Sequence, residues 1–334
     1  MATQQQFLDF LSEIEPSQTT KSVCSSAHST LREKLENHET YKNIHLNTYL
    51  SGSYARKTAL RPQRKGGEVR RPDVDIIVVT NHTTSDLPSD VIKMLRSAVK
   101  SLGYKEVAAN RRSICVSLGS VEMDVVPVIR DPWQEDGWLI ADKSEESWLV
   151  TNPRGHNEWA TGVNKKAHQN FVPLVKLVKW WRRENLPNLR RPKGFILETL
   201  VAEHMDFEEY SYEELFAKFL KSVRDEYGWL VDYGMVPTLK DPSVPDNNVF
   251  SRVKPEEFKR FYDMVTMHAK LVQRAQDETD DEKSLALWRR IFGRGFSGTA
   301  KSASLLRTAT AGAGLGLSFP ATAVIPQNKP AGFA

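Results

Sequence analysis

The sequence is poor in cysteine and in long apolar runs. Its 334 residues include two cysteines, Cys24 and Cys115. The opening MATQQQFLDF lacks the basic start and apolar core of a secretory signal, and no apolar window of about 18 residues follows. A disulfide framework and a membrane span are therefore not expected. These absences predict a protein of the reducing cytoplasm with no membrane partner.

The common phosphate-binding and zinc-binding motifs are also missing. The chain has no G-x-x-x-x-G-K-[ST] and no G-x-G-x-x-G opening a strand-to-helix unit, which argues against P-loop ATPases, kinases and dehydrogenases. His156 and His168 have no second histidine or cysteine at zinc-ligand spacing. Any binding or catalytic site must therefore be formed by another group of residues.

Net charge is small. The 46 basic and 42 acidic residues give +4, too slight a balance to predict stable binding to nucleic acid. One local basic run stands out and has two readings: it draws polyphosphate towards a cleft, or it is a solvated loop, and we favour the solvated loop. The run comprises Arg56, Lys57, Arg61, Arg64, Lys65, Arg70 and Arg71.

Hydrophobic periodicity divides the chain into an α+β lobe and a helical lobe. Two amphipathic N-terminal helices precede short β-rich runs between Ile44 and Val128. Helical patterns dominate beyond Pro153, among them Lys165 to Glu184, Pro255 to Asp277 and Asp281 to Phe292. From Lys283 to the end no acidic residue occurs, and the segment after Gly293 is rich in Gly, Ala, Ser and Thr. We expect a catalytic domain over 1–160, a helical domain over 161–295 and a disordered C-terminal tail over 296–334.

Three aspartates on apolar strands predict a metal site. Asp73 and Asp75 project from the same face of one strand, because side chains alternate along it. Their repulsion is costly unless cations neutralise it. Asp124 lies in VEMDVVPVI, on a strand that can bring its carboxylate beside the pair, and Glu122 can face the same way. Three carboxylates suit a two-metal site for displacement at phosphorus.

The dipeptide Gly52-Ser53 precedes the D-x-D pair. A glycine lets the backbone approach a phosphate closely, and the serine adds a small hydroxyl and free amides. We expect this dipeptide to hold a nucleoside triphosphate next to the metal-binding aspartates.

Taken together, these motifs resemble the DNA polymerase β-like nucleotidyltransferase superfamily, and within it the bacterial cGAS/DncV-like nucleotidyltransferases, with details closest to clade D. Further matching segments are TNPRGHNEW, LVKLVKWWRR, PKGFILETL and DPSVPDNNV. The resemblance implies that Lys179 contacts donor phosphates, the alternative being a solvent-facing lysine. It also implies a bilobed fold in which the helical lobe closes the nucleotide cleft. Glu198 and DPSVPDNNV are expected to be structural.

The resemblance implies a metal-dependent enzyme that joins ATP and GTP into a cyclic trinucleotide of AMP and GMP, releasing pyrophosphate. Two Mg²⁺ ions, replaceable by Mn²⁺, would serve as cofactors. The product would activate a separate effector in anti-phage (CBASS) signalling, and a ubiquitin-ligase-like partner would conjugate the C-terminal Ala334 to a lysine. The alternatives are an RNA or tRNA nucleotidyltransferase of the poly(A) polymerase-like class and a catalytically silent nucleotide-binding scaffold.

Overall fold

The first lobe is built on a mixed β-sheet. The computed structural model describes residues 2–65, 68–135 and 137–297. Within them, the strands are β1 (His45–Ser51), β2 (Arg64–Lys65), β3 (Glu68–Val69), β4 (Asp73–Thr80), β5 (Glu106–Ala109), β6 (Ile114–Ser117), β7 (Glu122–Arg130), β8 (Trp138–Asp142) and β9 (Ser147–Thr151). The main sheet follows the order β1-β4-β7-β6-β5, with β8 pairing with β7 and β9 with β8, while β2 and β3 form a separate hairpin.

The pairing of β4 with β7 is parallel, whereas the other neighbours in the main sheet are antiparallel. A parallel pair places the first residues of both strands at the same edge of the sheet. The alternation of side chains along β4 fixes this arrangement, because Val74, Ile76 and Val78 are fully buried on one face. Ile77 and Val79 are buried on the other face, in a second apolar cluster.

The remainder of the described chain is mainly helical. Its α-helices are α1 (Gln4–Ile14), α2 (Gln18–Glu36), α3 (Gly52–Ala55), α4 (Pro88–Ser101), α5 (Pro153–Lys166), α6 (Phe171–Asn185), α7 (Phe195–His204), α8 (Tyr212–Asp232), α9 (Pro255–Asp277) and α10 (Asp281–Phe292). The predicted α+β class, a mixed sheet with helices plus a helical lobe, is confirmed.

One predicted helix, from Lys165 to Glu184, is divided in the structure. α5 ends at Lys166 and α6 begins at Phe171, with His168 and Gln169 between them at φ values of 50° and 71°. The side chain of Asn164 bridges the break: its Nδ2 donates to Gln169 Oε1 at 2.7 Å, and its Oδ1 accepts from the backbone amide of Val172 at 3.0 Å. Left-handed backbone conformations interrupt a helix even where the hydrophobic period continues.

The two N-terminal helices pack in different places. α2 contributes Cys24, Leu31 and Leu35 to the core beneath the sheet. By contrast, α1 buries Phe7 and Phe10 in the core of the helical lobe. The first helix of the expected catalytic domain over 1–160 therefore packs in the helical lobe, because the apolar partners of its aromatic face lie there.

Phe296, the first residue of the expected tail over 296–334, is fully buried. The centroid of its ring lies 5.1 Å from the ring centroid of Phe7 and 5.2 Å from that of Phe10. Residues 298–334, including Ala334, lie outside the described residues.

The two cysteines do not form a disulfide. Cys24 and Cys115 are both free, the first buried and the second half-buried. In the part of the chain that the structure describes, no helix combines the length and apolar character needed to cross a bilayer.

We expect Phe296→Ala to lower the free energy of unfolding by about 3–5 kcal/mol, since it removes a fully buried ring from an aromatic cluster. Tyr233→Ala, at a side chain that is 77% exposed, is the control and should change stability by less than about 0.5 kcal/mol. Urea denaturation measures both. Equal effects of the two substitutions would contradict the placement of Phe296 in the helical core.

Candidate active site

The structure brings the three predicted aspartates together at one edge of the sheet. Asp75 on β4 stands opposite Asp124 on β7 in the parallel register, and Asp73 stands opposite Glu122. One carboxylate oxygen from each of Asp73, Asp75 and Asp124 lies within 4.8 Å of the other two. This arrangement can hold a metal ion.

The surrounding protein disfavours three negative charges in this position. Asp73 lies at the open edge of the group, yet loss of hydration raises its pKa to about 7, with further contributions from Asp75, Asp124 and Glu122. Burial, followed by the charge of Asp124, also raises the pKa of Asp75. Burial raises the pKa of Asp124, although hydrogen bonds from Ser113 and Asn110 oppose this.

No lysine or arginine among the described side chains forms a salt bridge with these three carboxylates. A divalent cation with oxygen ligands would remove the repulsion that raises their pKa values. The donor set therefore fits a hard metal ion.

Glu122 faces the same edge but is not one of the three converging carboxylates. Its Oε1 lies 3.6 Å from Nη1 of Arg71, and 45% of its side chain is exposed. The sequence pattern leaves the role of Glu122 open, whereas the structure gives it a cationic partner outside the site.

The backbone at Gly52 passes so close to the Asp75 carboxylate that this position requires glycine. β1 ends at Ser51, which pairs with Asp75 across the sheet. Gly52 follows with φ of +68°, and a Cβ atom there would lie 1.7 Å from Oδ2 of Asp75. Any other residue would collide with the carboxylate and adopt a strained backbone. Ser53 follows Gly52 and is half-buried in α3, and its contact with a nucleotide stays a prediction.

Lys179 is buried, which excludes the alternative of a solvent-facing lysine. Only 9% of its side chain is exposed, and its Nζ donates to Glu198 Oε1 at 2.6 Å and to Thr58 Oγ1 at 2.9 Å. The pKa of Asp75 is raised by burial, and the charges of Arg56 and Lys179 oppose this rise, so the ammonium acts on the aspartate site. Direct contact of Lys179 with phosphate stays a prediction.

Arg56 corrects the expectation that the whole basic run is solvated. Its side chain is only 6% exposed, and its Nε donates to Glu198 Oε2 at 2.6 Å. The interaction joins the segment after α3 to helix α7. A buried carboxylate 142 positions away in the chain cannot be seen in the local composition.

Sequence reasoning missed two groups, one that contacts Lys179 and one that contacts Asp124. Thr58 is fully buried between Lys179 and Glu198. Asn110 and Ser113, in the turn between β5 and β6, donate to Asp124 Oδ1 at 3.4 and 3.5 Å. For Thr58, the sequence offered one signal, its position shortly after Gly52-Ser53. For Asn110 and Ser113, the signal was that their turn directly precedes β6, the strand that pairs with β7.

The segment DPSVPDNNV contains a hydrogen-bonded turn, and its expected structural role stays a prediction. The Asp241 carboxylate accepts from the amides of Ser243 and Val244 at 3.0 and 3.1 Å, which forms a turn. Its Oδ1 also lies 2.8 Å from Nε2 of His156 on α5. The two predicted motifs therefore contact each other, and His156 has a carboxylate partner.

Comparison with known proteins identifies the fold and the family. Residues 1–164 match the family described as "Second Messenger Oligonucleotide or Dinucleotide Synthetase domain". A "Cyclic AMP-AMP-AMP synthase" from an Acinetobacter species is 53% identical, with 100% of this chain and 98% of the relative covered. A "Cyclic AMP-AMP-GMP synthase" from Enterobacter hormaechei is 27% identical, with 89% of this chain and 92% of the relative covered.

Among solved structures, that of Escherichia coli MS115-1 CdnC with ATP has a TM-score of 0.69. It is 19% identical, with 89% of this chain and 99% of that chain covered. This similarity shows the shared fold.

The raised pKa of Asp73 predicts how stability depends on pH without metal. The folded state holds this proton up to about pH 7, whereas the unfolded carboxyl releases it near its ordinary value of 3.8. The free energy of unfolding should therefore fall as pH rises through this interval. We expect Asp73→Asn to be more stable than the unsubstituted protein at pH 8, with the difference disappearing near pH 4.

Urea denaturation in the presence of a chelator at pH 4, 6 and 8 measures this effect. Asp232→Asn, at an exposed carboxylate at the end of α8, is the control and should not change the pH dependence. Parallel pH profiles for Asp73→Asn and the unsubstituted protein would contradict the electrostatic description.

Proposed function

The chain belongs to the bacterial cGAS/DncV-like nucleotidyltransferases, a family of cyclic oligonucleotide synthases, and on this premise we propose that it makes a cyclic trinucleotide from ATP at the Asp73, Asp75 and Asp124 site. The observation that carries the proposal is the convergence of the three carboxylates within 4.8 Å on paired parallel strands. The full-length similarity to a cyclic AMP-AMP-AMP synthase supports three adenosine units.

A second candidate product contains both AMP and GMP. Its support is the relative named as a cyclic AMP-AMP-GMP synthase, together with the resemblance to clade D noted from the motifs. That relative is 27% identical, compared with 53% for the all-adenosine synthase. We therefore favour ATP as the sole substrate and treat GTP incorporation as the alternative that a product analysis decides.

The metal in this proposal is Mg²⁺, for which Mn²⁺ can substitute. Asp73, Asp75 and Asp124 would hold two ions, since carboxylate oxygens are the ligands that these cations prefer. When bound, the ions supply positive charge to the reacting phosphate and lower the pKa of the attacking hydroxyl.

The other residues of the site bind and orient the nucleotides. Gly52 leaves room beside Asp75, so the backbone of Gly52-Ser53 can approach a phosphate. Lys179 provides a positive charge that acts on Asp75 from the helical lobe. Holding a ribose hydroxyl and an α-phosphorus in one orientation removes much of the entropic cost of joining two nucleotides.

Neither alternative function has a specific observation in its favour. A poly(A) polymerase-like enzyme would share the aspartates but needs a long RNA groove, and the net charge of +4 is small for that purpose. A silent scaffold conflicts with the three intact carboxylates. Assignment to clade D, the anti-phage pathway with its effector, the cytoplasmic location and the conjugation of Ala334 by a ubiquitin-ligase-like partner stay predictions.

Product analysis tests the proposal directly. Purified protein is incubated with labelled ATP, GTP or both in Mg²⁺ or Mn²⁺, treated with phosphatase and analysed by mass spectrometry. We expect a phosphatase-resistant cyclic trinucleotide with ATP alone. A product that appears only when GTP is present would favour the mixed trinucleotide, and a ladder of linear products would contradict cyclisation.

The double substitution Asp73→Asn with Asp75→Asn should reduce turnover by about 10³-fold or more, since transition-state stabilisation of several kcal/mol depends on the ligands of the metal. Glu122→Gln is the matched control on the same edge of the sheet and should keep near-normal turnover, because Glu122 pairs with Arg71 instead. Initial rates of product formation measure both variants. Near-normal turnover in the double variant would place the active site elsewhere.

A further inference from the structure

A buried ionic cluster links the segment after Gly52-Ser53 to the helical lobe. At its centre is Glu198 on α7, whose side chain is fully buried. The carboxylate accepts hydrogen bonds from Arg56 Nε at 2.6 Å and from Arg56 Nη2 at 3.3 Å. It also accepts from Thr58 Oγ1 at 2.9 Å and from Lys179 Nζ at 2.6 Å. One carboxylate thus joins residues from the α3 segment, α6 and α7.

Thr58 connects this cluster to the predicted nucleotide loop. Its backbone amide donates to the Ser53 carbonyl at 2.9 Å. Its hydroxyl donates to Glu198 and accepts from Lys179 at 2.9 Å. Two hydrogen bonds therefore separate the Ser53 backbone from the Glu198 carboxylate, so a displacement of Glu198 would be transmitted to the loop.

The cluster carries more positive charge than one carboxylate neutralises. Arg56 and Lys179 contribute two cations against the single anion of Glu198, and both cations are almost fully buried. A second buried cation adds a desolvation cost that a purely structural ion pair does not need. Arg56 and Lys179 lower the pKa of Asp75 while Glu198 opposes them, so the cluster as a whole leaves one net positive charge acting on the aspartate site. This charge would attract the phosphates of a nucleotide held by the metal ligands.

We propose that Glu198 is a positioning residue for the donor triphosphate, acting through Arg56, Thr58 and Lys179 to fix two cations and the Gly52-Ser53 loop beside Asp75. The inference rests on the proposed function, because it assumes that a nucleoside triphosphate binds at this edge of the sheet. Glu198 itself stays out of contact with the substrate.

The test separates nucleotide binding from folding. Glu198→Gln keeps the size of the side chain but leaves two buried cations without an anion, so both cations and the loop should shift. We expect KM for ATP to rise at least tenfold, with a smaller decrease in kcat. A merely structural role would lower the thermal midpoint and the active fraction, neither of which changes KM. Glu203→Gln, at an exposed position on the same helix, is the matched control.

A second pair of variants decides the matter if Glu198→Gln does not fold. Thr58→Val is close in shape and retains both ion pairs, but it removes the hydroxyl that joins Glu198 to Lys179. We expect a KM for ATP about threefold higher than that of the unsubstituted protein. Thr58→Ser restores the hydroxyl and should return KM towards the original value.

The outcomes distinguish this inference from the proposed function. Product formation by the unsubstituted protein is measured first, and its absence with every triphosphate would contradict the proposed function. If product forms normally and KM is unchanged in both Glu198→Gln and Thr58→Val, the cluster only stabilises the fold and the positioning role is overturned. If Glu198→Gln fails to fold, an unchanged KM in Thr58→Val alone overturns it.

Discussion

The parallel register of β4 and β7 is the constraint on which the site depends. It sets Asp75 opposite Asp124 and brings the start of both strands to one edge, where Asp73 completes the group. The alternation along β4 holds the register, because a slip by one residue would turn the carboxylates to the face on which Val74, Ile76 and Val78 are fully buried. The same packing that stabilises the sheet therefore imposes the crowding of negative charge.

That crowding explains several neighbouring features. Gly52 has no side chain because the Asp75 carboxylate occupies the space that a Cβ would take. Asn110 and Ser113 donate to Asp124, which partly offsets the cost of burying its charge. Glu122, on the same face of β7, is paired with Arg71 and does not join the three aspartates. A divalent metal ion, which the family generally uses, would neutralise the rest of the negative charge.

Glu198 connects the segment after Gly52-Ser53 to the helical lobe through Arg56 and Lys179. Burial alone would raise the pKa of this carboxyl, but Lys179 and Arg56 keep it well below its usual range. Removing one partner of such a buried pair typically costs about 3–5 kcal/mol, since the remaining charge is left in a medium of low dielectric constant. The segment after Gly52-Ser53 is thus held to α6 and α7 by buried ion pairs. These ion pairs stabilise the fold only while both the carboxylate and its cations are present.

The sequence by itself determined the local features: the alternation that puts Asp73 and Asp75 on one face, the apolar strands around Asp124 and helices such as α9 and α10, whose predicted and observed limits agree. These depend on spacing within a short segment. The tertiary structure decided which helix joins which core, so that α1 packs in the helical lobe. It also decided which charges are buried, because Arg56 and Lys179 meet Glu198 only after distant segments pack together, and burial depends on those neighbours and not on local composition.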